Sequence, residues 1–307
     1  MEILLQLLLL VIGFVMLVKG ADWFVDGSSG IAAKFGIPQL VIGLTIVAMG
    51  TSAPEAAVSI SAAIKGSADI TIGNIVGSNI LNILIILGLS AIITPLAVAK
   101  STVRIEIPFM IVVTMLLLAL GYNGMIGSGF ALILIAFFII YLAYLFMMAK
   151  KNKEEQEEAK ELSIVKALGL TLIGFVLIVF GSNVTVDAAT AIAKIVGLSE
   201  RFIGLTIVAL GTSLPELFTS VSAARKGNAD IAIGNIVGSN IFNILFVVGI
   251  SGLIIPVPFD RAFVFDTLIA AAAAVILLLC CLKDQKLKRW AGVLMLACYA
   301  VYFAMIW

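Results

Sequence analysis

The chain contains one stretch twice. Laid against itself with an offset of 161 positions, residues 42–96 align without a gap on 203–257, and 37 of the 55 aligned positions are identical. Identity of that extent marks an internally repeated fold. Weaker matches continue upstream, where Gly13 faces Gly174 and Asp26 faces Asp187. Each half therefore reads as one copy of the same unit, at 1–149 and 163–307, joined by the charged segment 150–162.

The unit is built for lipid. Of the 307 residues 62% are hydrophobic and 12% charged, and the mean hydropathy of +1.22 lies far outside the range of a water-soluble domain. Apolar runs such as Ile105–Leu120 and Ala131–Met148 are continuous rather than alternating, which excludes a barrel and fits membrane-crossing helices. Met1–Val18 has no basic start and no small-residue cleavage site, so it reads as the first membrane helix and not as a removed signal. Hydropathy breaks place spans at 3–25, 39–64, 70–94, 103–121 and 126–149, then 163–187, 201–225, 231–255, 261–282 and 288–306. The expected fold is thus an all-α membrane protein of ten transmembrane helices. Five spans per copy force the two copies into opposite orientations, an inverted-topology repeat.

Basic residues set the orientation. With the N-terminus outside, the inner loops hold 14 Lys and Arg residues and the outer loops four, so both termini are expected outside and 150–162 in the cytoplasm. A net charge of +1 distributed by membrane side offers no surface for nucleic acid. Cys280, Cys281 and Cys298 lie in apolar helices without metal-ligand spacing, and the chain has no histidine. Any bound metal must therefore accept oxygen.

Two duplicated motifs carry the chemistry. Gly50–Glu55 reads Gly-Thr-Ser-Ala-Pro-Glu and Gly211–Glu216 reads Gly-Thr-Ser-Leu-Pro-Glu, each inside an apolar span. A charge at the centre of a membrane helix costs at least about 2.5 kcal/mol, so Glu55 and Glu216 need a cavity, a partner or an ion. Pro54 and Pro215 lack an amide hydrogen, which breaks the helix and releases carbonyls at membrane depth. Thr51 and Ser52 precede Glu55 by four and three residues, so both hydroxyls can share its helix face; Thr212 and Ser213 stand likewise to Glu216.

The second motif is Gly-Asn-Ile-Val-Gly-Ser-Asn-Ile, beginning at Gly73 and at Gly234. It aligns Asn74, Ser78 and Asn82, and in the other copy Asn235, Ser239 and Asn243, as a polar stripe on an apolar helix. Such a stripe also serves as interhelical glue between close-packed helices. Together the motifs supply two carboxylates, hydroxyls, amide oxygens and freed carbonyls. Ca²⁺ takes six to eight such oxygens in flexible geometry, and two glutamates neutralise it. The same oxygens, regrouped, can hold Na⁺. The transported ions would be substrates; neither a cofactor nor an obligate protein partner is implied.

The paired motifs resemble the α-repeats of the Ca²⁺/cation antiporter superfamily, and within it the compact prokaryotic Na⁺/Ca²⁺ exchangers. The resemblance runs through the whole chain and implies ten helices in inverted halves and a transporter rather than an enzyme. It also implies that Glu55 and Glu216 bind Ca²⁺ with the carbonyls of Thr51 and Thr212. Flanking Na⁺ sites would use Ser52, Ser78, Ser213 and Ser239 with the backbone of Ala48 and Ala209, and Asn82 and Asn243 would complete the centre. Position 243 departs from the archaeal exchangers, which often carry aspartate there. The expected activity is Ca²⁺ exchange for Na⁺ by alternating access, with H⁺/Ca²⁺ antiport and a passive cation channel as the alternatives.

Overall fold

In lipid each backbone N–H and C=O must find its partner within the protein, so apolar segments of this length become helices. The computed structural model describes residues 2–151, 162–197 and 209–306. In chain order its helices are α1 (Glu2–Phe35), α2 (Gln39–Thr51), α3 (Ala53–Ile64), α4 (Asp69–Ile93), α5 (Thr102–Gly121), α6 (Ser128–Lys151) and α7 (Ile164–Ile195). They continue with α8 (Ala209–Thr212), α9 (Leu214–Arg225), α10 (Ala229–Ile254), α11 (Arg261–Leu282) and α12 (Arg289–Ile306). Among the described residues eight helices are long and apolar enough to cross a membrane, and α2 with α3, bent by 49°, makes nine. The protein is a predominantly helical, multi-pass membrane protein. The span expected at 201–225 is represented by α8 and α9, its first residues lying outside the described ones, as does most of 150–162.

Two helices differ clearly from expectation. The spans expected at 3–25 and 163–187 continue as helix to Phe35 and Ile195. Hydropathy falls after Val25, yet the helix continues, and Asp26 there pairs with Lys226 at 2.6 Å instead of ending it. The span expected at 39–64 is interrupted at Ser52 (φ −82°, ψ 7°), one residue before the Ala53–Pro54 start of α3. Pro54 sits in the first turn of α3, where its missing N–H costs nothing.

Burial separates a centre from a periphery. In the most apolar 18-residue window of α10, 94% of residues are buried, and in that of α4, 78%; the figures for α1 and α7 are 17% and 22%. The centre is therefore made by the two helices that carry the Asn-Ser-Asn motifs. Each turns π-helical at its last motif asparagine, over Asn82–Leu87 and Asn243–Val248. A π turn feeds an extra residue into the helix and is frequent at functional positions.

The long helices α1 and α7 cross antiparallel at a glycine seam. A Cβ on Gly13 would lie 2.3 Å from Thr185 Oγ1, one on Gly20 2.9 Å from Ile178 N, and one on Gly27 2.4 Å from Thr171 N. Position rises along one helix as it falls along the other. From the opposite side, a Cβ on Gly174 would meet Phe24 N at 2.5 Å. Backbone-to-backbone approach of this kind is what small residues permit in membrane helices.

Short strands tie the two halves at their ends. β1 (Leu96–Ala97) pairs with β4 (Lys286–Leu287), Leu96 opposite Leu287; β2 (Met125–Ile126) pairs with β3 (Val257–Pro258), Ile126 opposite Val257. Adding the repeat offset to Leu96 gives Val257 and to Ile126 gives Leu287, so the two ladders are one pairing made twice, each time between opposite halves.

Candidate ion-binding site

The break at Ser52 lets α2 and α3 deliver their last and first residues to one point, and α8 and α9 do the same around Ser213. Glu55 and Glu216 both lie at 0% exposure. Ser52 Oγ donates to Glu216 Oε1 at 2.8 Å. Ser213 Oγ and Ser78 Oγ reach Glu55 Oε1 at 3.5 and 3.4 Å. Ser52 and Ser213 thus serve the carboxylate of the other copy, while Ser78 serves that of its own. The expectation that Thr51 and Ser52 share a face with Glu55 is corrected: the bend at Ser52 turns α3 away from α2, and the hydroxyls cross the site. Thr51 Oγ1 donates to Asn235 Oδ1 at 2.9 Å.

The polar stripes divide their work. Asn74 Nδ2 donates to Ser59 Oγ at 2.9 Å and to the Glu55 carbonyl at 3.3 Å. Asn235 Nδ2 makes the same two contacts, with Ser220 Oγ at 2.9 Å and the Glu216 carbonyl at 3.5 Å. These two asparagines hold the start of α3 and of α9 from outside. Ser78 and Asn82 face the centre, as do Ser239, whose Oγ lies 3.3 Å from the Ala48 carbonyl, and Asn243. Thr212 lies at the end of α8 with its Oγ1 buried, and Ala209 begins that helix.

Besides the Thr212 hydroxyl, four side-chain oxygens of this cluster are buried without a hydrogen-bond partner: Glu55 Oε2, Glu216 Oε2, Asn82 Oδ1 and Asn243 Oδ1. They form two equivalent pairs, one carboxylate and one amide from each half. A buried acceptor left unmatched costs about 1–3 kcal/mol, and more when charged. Four at one place make an oxygen cage that a cation could satisfy. Among the described residues no group of three or more His, Cys, Asp or Glu side chains is suited to a metal, so a site here relies on two acids supplemented by neutral oxygens.

Two residues missed by sequence reasoning stand behind the cage. Asn79 and Asn240, at 2% and 1% exposure, bond each other's backbone carbonyls and the amides of Asn243 and Asn82. Their signal was present, since both are identical across the repeat, but the i, i+4, i+8 spacing of the stripe passes them by.

The family model for the sodium/calcium exchanger protein matches residues 5–147 and 166–307. The chain belongs to the sodium/calcium exchanger family. Members are transporters rather than enzymes, and their ions are substrates. The chain is 38% identical to the inner membrane protein YrbG of Escherichia coli over 81% of its own length and 79% of the relative's. It is 33% identical to the sodium/calcium exchanger MaX1 of Methanosarcina acetivorans over 97% of both. A solved structure of the sodium-calcium exchanger NCX_Mj, soaked with zero Na⁺ and Ca²⁺, superposes with a TM-score of 0.88 at 34% identity, covering 99% of this chain and 100% of that one.

Proposed function

We propose that the protein is a secondary active antiporter exchanging Ca²⁺ for Na⁺ by alternating access. The observation that carries this reading is the set of four unpartnered buried oxygens, two from carboxylates, at the meeting point of the duplicated motifs. Two ionised glutamates balance one divalent cation, and the flexible mixed donor set suits Ca²⁺ better than Mg²⁺. Na⁺ would be held by the flanking oxygens of Ser52, Ser78, Ser213 and Ser239 with the carbonyls of Ala48 and Ala209. Removal of either ion leaves two bare charges facing each other in a low-dielectric centre. That cost discourages the empty site from crossing and couples the two fluxes. Relatives named as sodium/calcium exchangers, MaX1 and NCX_Mj, support the same choice of ions.

The carrier of this function would be ten spans in two inverted five-helix units, 1–149 and 163–307, with the linker 150–162 in the cytoplasm and both termini outside. The antiparallel crossing of α1 on α7 and the twice-made strand pairing support the inversion. Alternating access draws support from the two ends of that crossing. One end of α1 is closed on α9 through Lys226, Asp26, Asp22 and Ser222. Among the described residues, the equivalent positions on α7 and α3 have no such closure.

Uptake of labelled Ca²⁺ into proteoliposomes under an imposed Na⁺ gradient, beside a pH gradient, tests the reading. Uptake should follow the Na⁺ gradient, ignore the pH gradient, and fall to background in Glu55→Gln and Glu216→Gln. Full uptake in both variants would overturn the site, uptake driven only by pH would replace Na⁺ with H⁺, and Ca²⁺ current without counter-transport would make the protein a channel.

A further inference from the structure

We infer that Asn79 and Asn240 are positioning residues that fix which atom of Asn243 and of Asn82 faces the ion, an inference that rests on the exchange reading. An asparagine side chain presents either an acceptor or a donor to a cation site, depending on which way its amide is turned. In the donor orientation it repels the ion. What decides the orientation here is a chain of hydrogen bonds anchored on main-chain carbonyls.

The carbonyl of Asn240 can only accept. It receives Asn79 Nδ2 at 3.1 Å, which obliges Asn79 to present its Oδ1 on the other side. That oxygen accepts Asn243 Nδ2 at 3.1 Å, so Asn243 must turn its own Oδ1 away, into the cage. The second chain runs the same way in the opposite direction. Asn79 C=O accepts Asn240 Nδ2 at 3.2 Å, Asn240 Oδ1 accepts Asn82 Nδ2 at 3.0 Å, and Asn82 Oδ1 is left for the cage. Reversing any one amide would set oxygen against oxygen or N–H against N–H at full burial, so the four side chains hold one arrangement. The two freed oxygens are among the four that have no partner within the protein.

The pairing is crossed. Asn79 on α4 governs Asn243 on α10, and Asn240 on α10 governs Asn82 on α4. Simple interhelical glue would carry no such pattern, because a residue that merely holds α4 to α10 affects both amides alike. The crossing makes the role separable by double-mutant cycles, which isolate the coupling between two residues in contact.

Ca²⁺ itself is the probe, titrated calorimetrically into the purified full-length protein in Na⁺-free buffer. Asn79→Ala should weaken Ca²⁺ binding about 2- to 10-fold, the factor expected for one orienting hydrogen bond. In an Asn243→Ala background the same change should add less than about twofold, while in Asn82→Ala it should keep its full factor. Asn240→Ala should give the mirror image, silent on Asn82→Ala and fully expressed on Asn243→Ala. Equal factors in both backgrounds, or no effect in the single variants, would overturn the inference and leave the exchanger reading standing. A wild-type protein that binds no Ca²⁺ would remove both. Thermal unfolding of each variant separates loss of fold from loss of orientation. Should Asn79→Ala not fold, Asn79→Ser, whose hydroxyl is too short to reach the Asn243 amide, enters the same cycle.

Discussion

Lys226 and Lys65 are equivalent residues of the two halves, yet they stand in different surroundings. Lys226 donates to Asp26 Oδ1 at 2.6 Å and to the Asp22 carbonyl at 2.8 Å, while Ser222 Oγ donates to Asp22 Oδ1 at 2.6 Å and Asn228 Nδ2 to Ser29 Oγ at 3.2 Å. Lys65 and its expected partner Asp187 are both exposed, and neither has an ion pair among the described residues. At the centre, by contrast, the asparagine network is made twice with nearly the same distances. The asparagine network is thus symmetric while the rims are not, and part of that difference is in the sequence, where Asp22, Ser29 and Asn228 have Asn183, Thr190 and Ser67 as counterparts.

The largest effect should come from Gly174→Val, because the seam between α1 and α7 underlies both rims. The added side chain would press on Phe24 N and on the Gly20 carbonyl, at 2.5 and 2.7 Å from the new Cβ, and backbone cannot swing aside. We expect destabilisation of about 1–3 kcal/mol in thermal unfolding, with Ca²⁺ uptake near background. A variant that transports normally would refute the close crossing.

Cross-linking sharpens the comparison next. With Cys280, Cys281 and Cys298 replaced by serine, Asp22→Cys with Ser222→Cys should form a disulfide in the resting protein and stop uptake until reduced. The equivalent pair on the other rim, Asn183→Cys with Ser61→Cys, should cross-link at least several-fold more slowly. Equal rates would mean that the rims do not differ. A smaller effect is expected from Lys226→Ala. A partly exposed ion pair contributes about 0.2–1 kcal/mol, so the balance of the two states should move by up to about fivefold. Thiol labelling at a cysteine placed at position 222 reads that shift, and Lys65→Ala should leave the labelling unchanged. Smallest of all is Asp284→Asn. It removes an exposed pair with Lys288 far from either rim, and transport rates measured beside wild type should not change.

Much of this was legible in the sequence, for stated physical reasons. The repeat made Glu55 and Glu216 a related pair, and the cost of charge in lipid marked them as candidates; the structure buries both and links them through serines of the opposite half. Ser78, Ser239, Asn82 and Asn243 followed from helical spacing and do face the centre. What spacing could not show was which half each hydroxyl serves. Ser52 reaches Glu216 because of a bend whose direction depends on packing between halves, which no local pattern encodes. The length of α1 was misjudged for a related reason: Asp26, Ser28 and Ser29 look like a helix end by hydropathy, yet they continue the helix along a protein surface that offers Lys226 and Asn228. Asn79 and Asn240 lay in plain view in the motif, but their role exists only where α4 meets α10.

The exchanged strands carry an implication about descent. Because β1 closes on β4 and β2 on β3, neither half contains both partners of a ladder, and a half standing alone would expose unpaired strand edges at its ends. Two copies related by a two-fold axis would satisfy every one of those edges at once. A half-length ancestor would therefore have needed a second copy of itself to close its ends, and the crossed ladders still bind each half of this chain to the other.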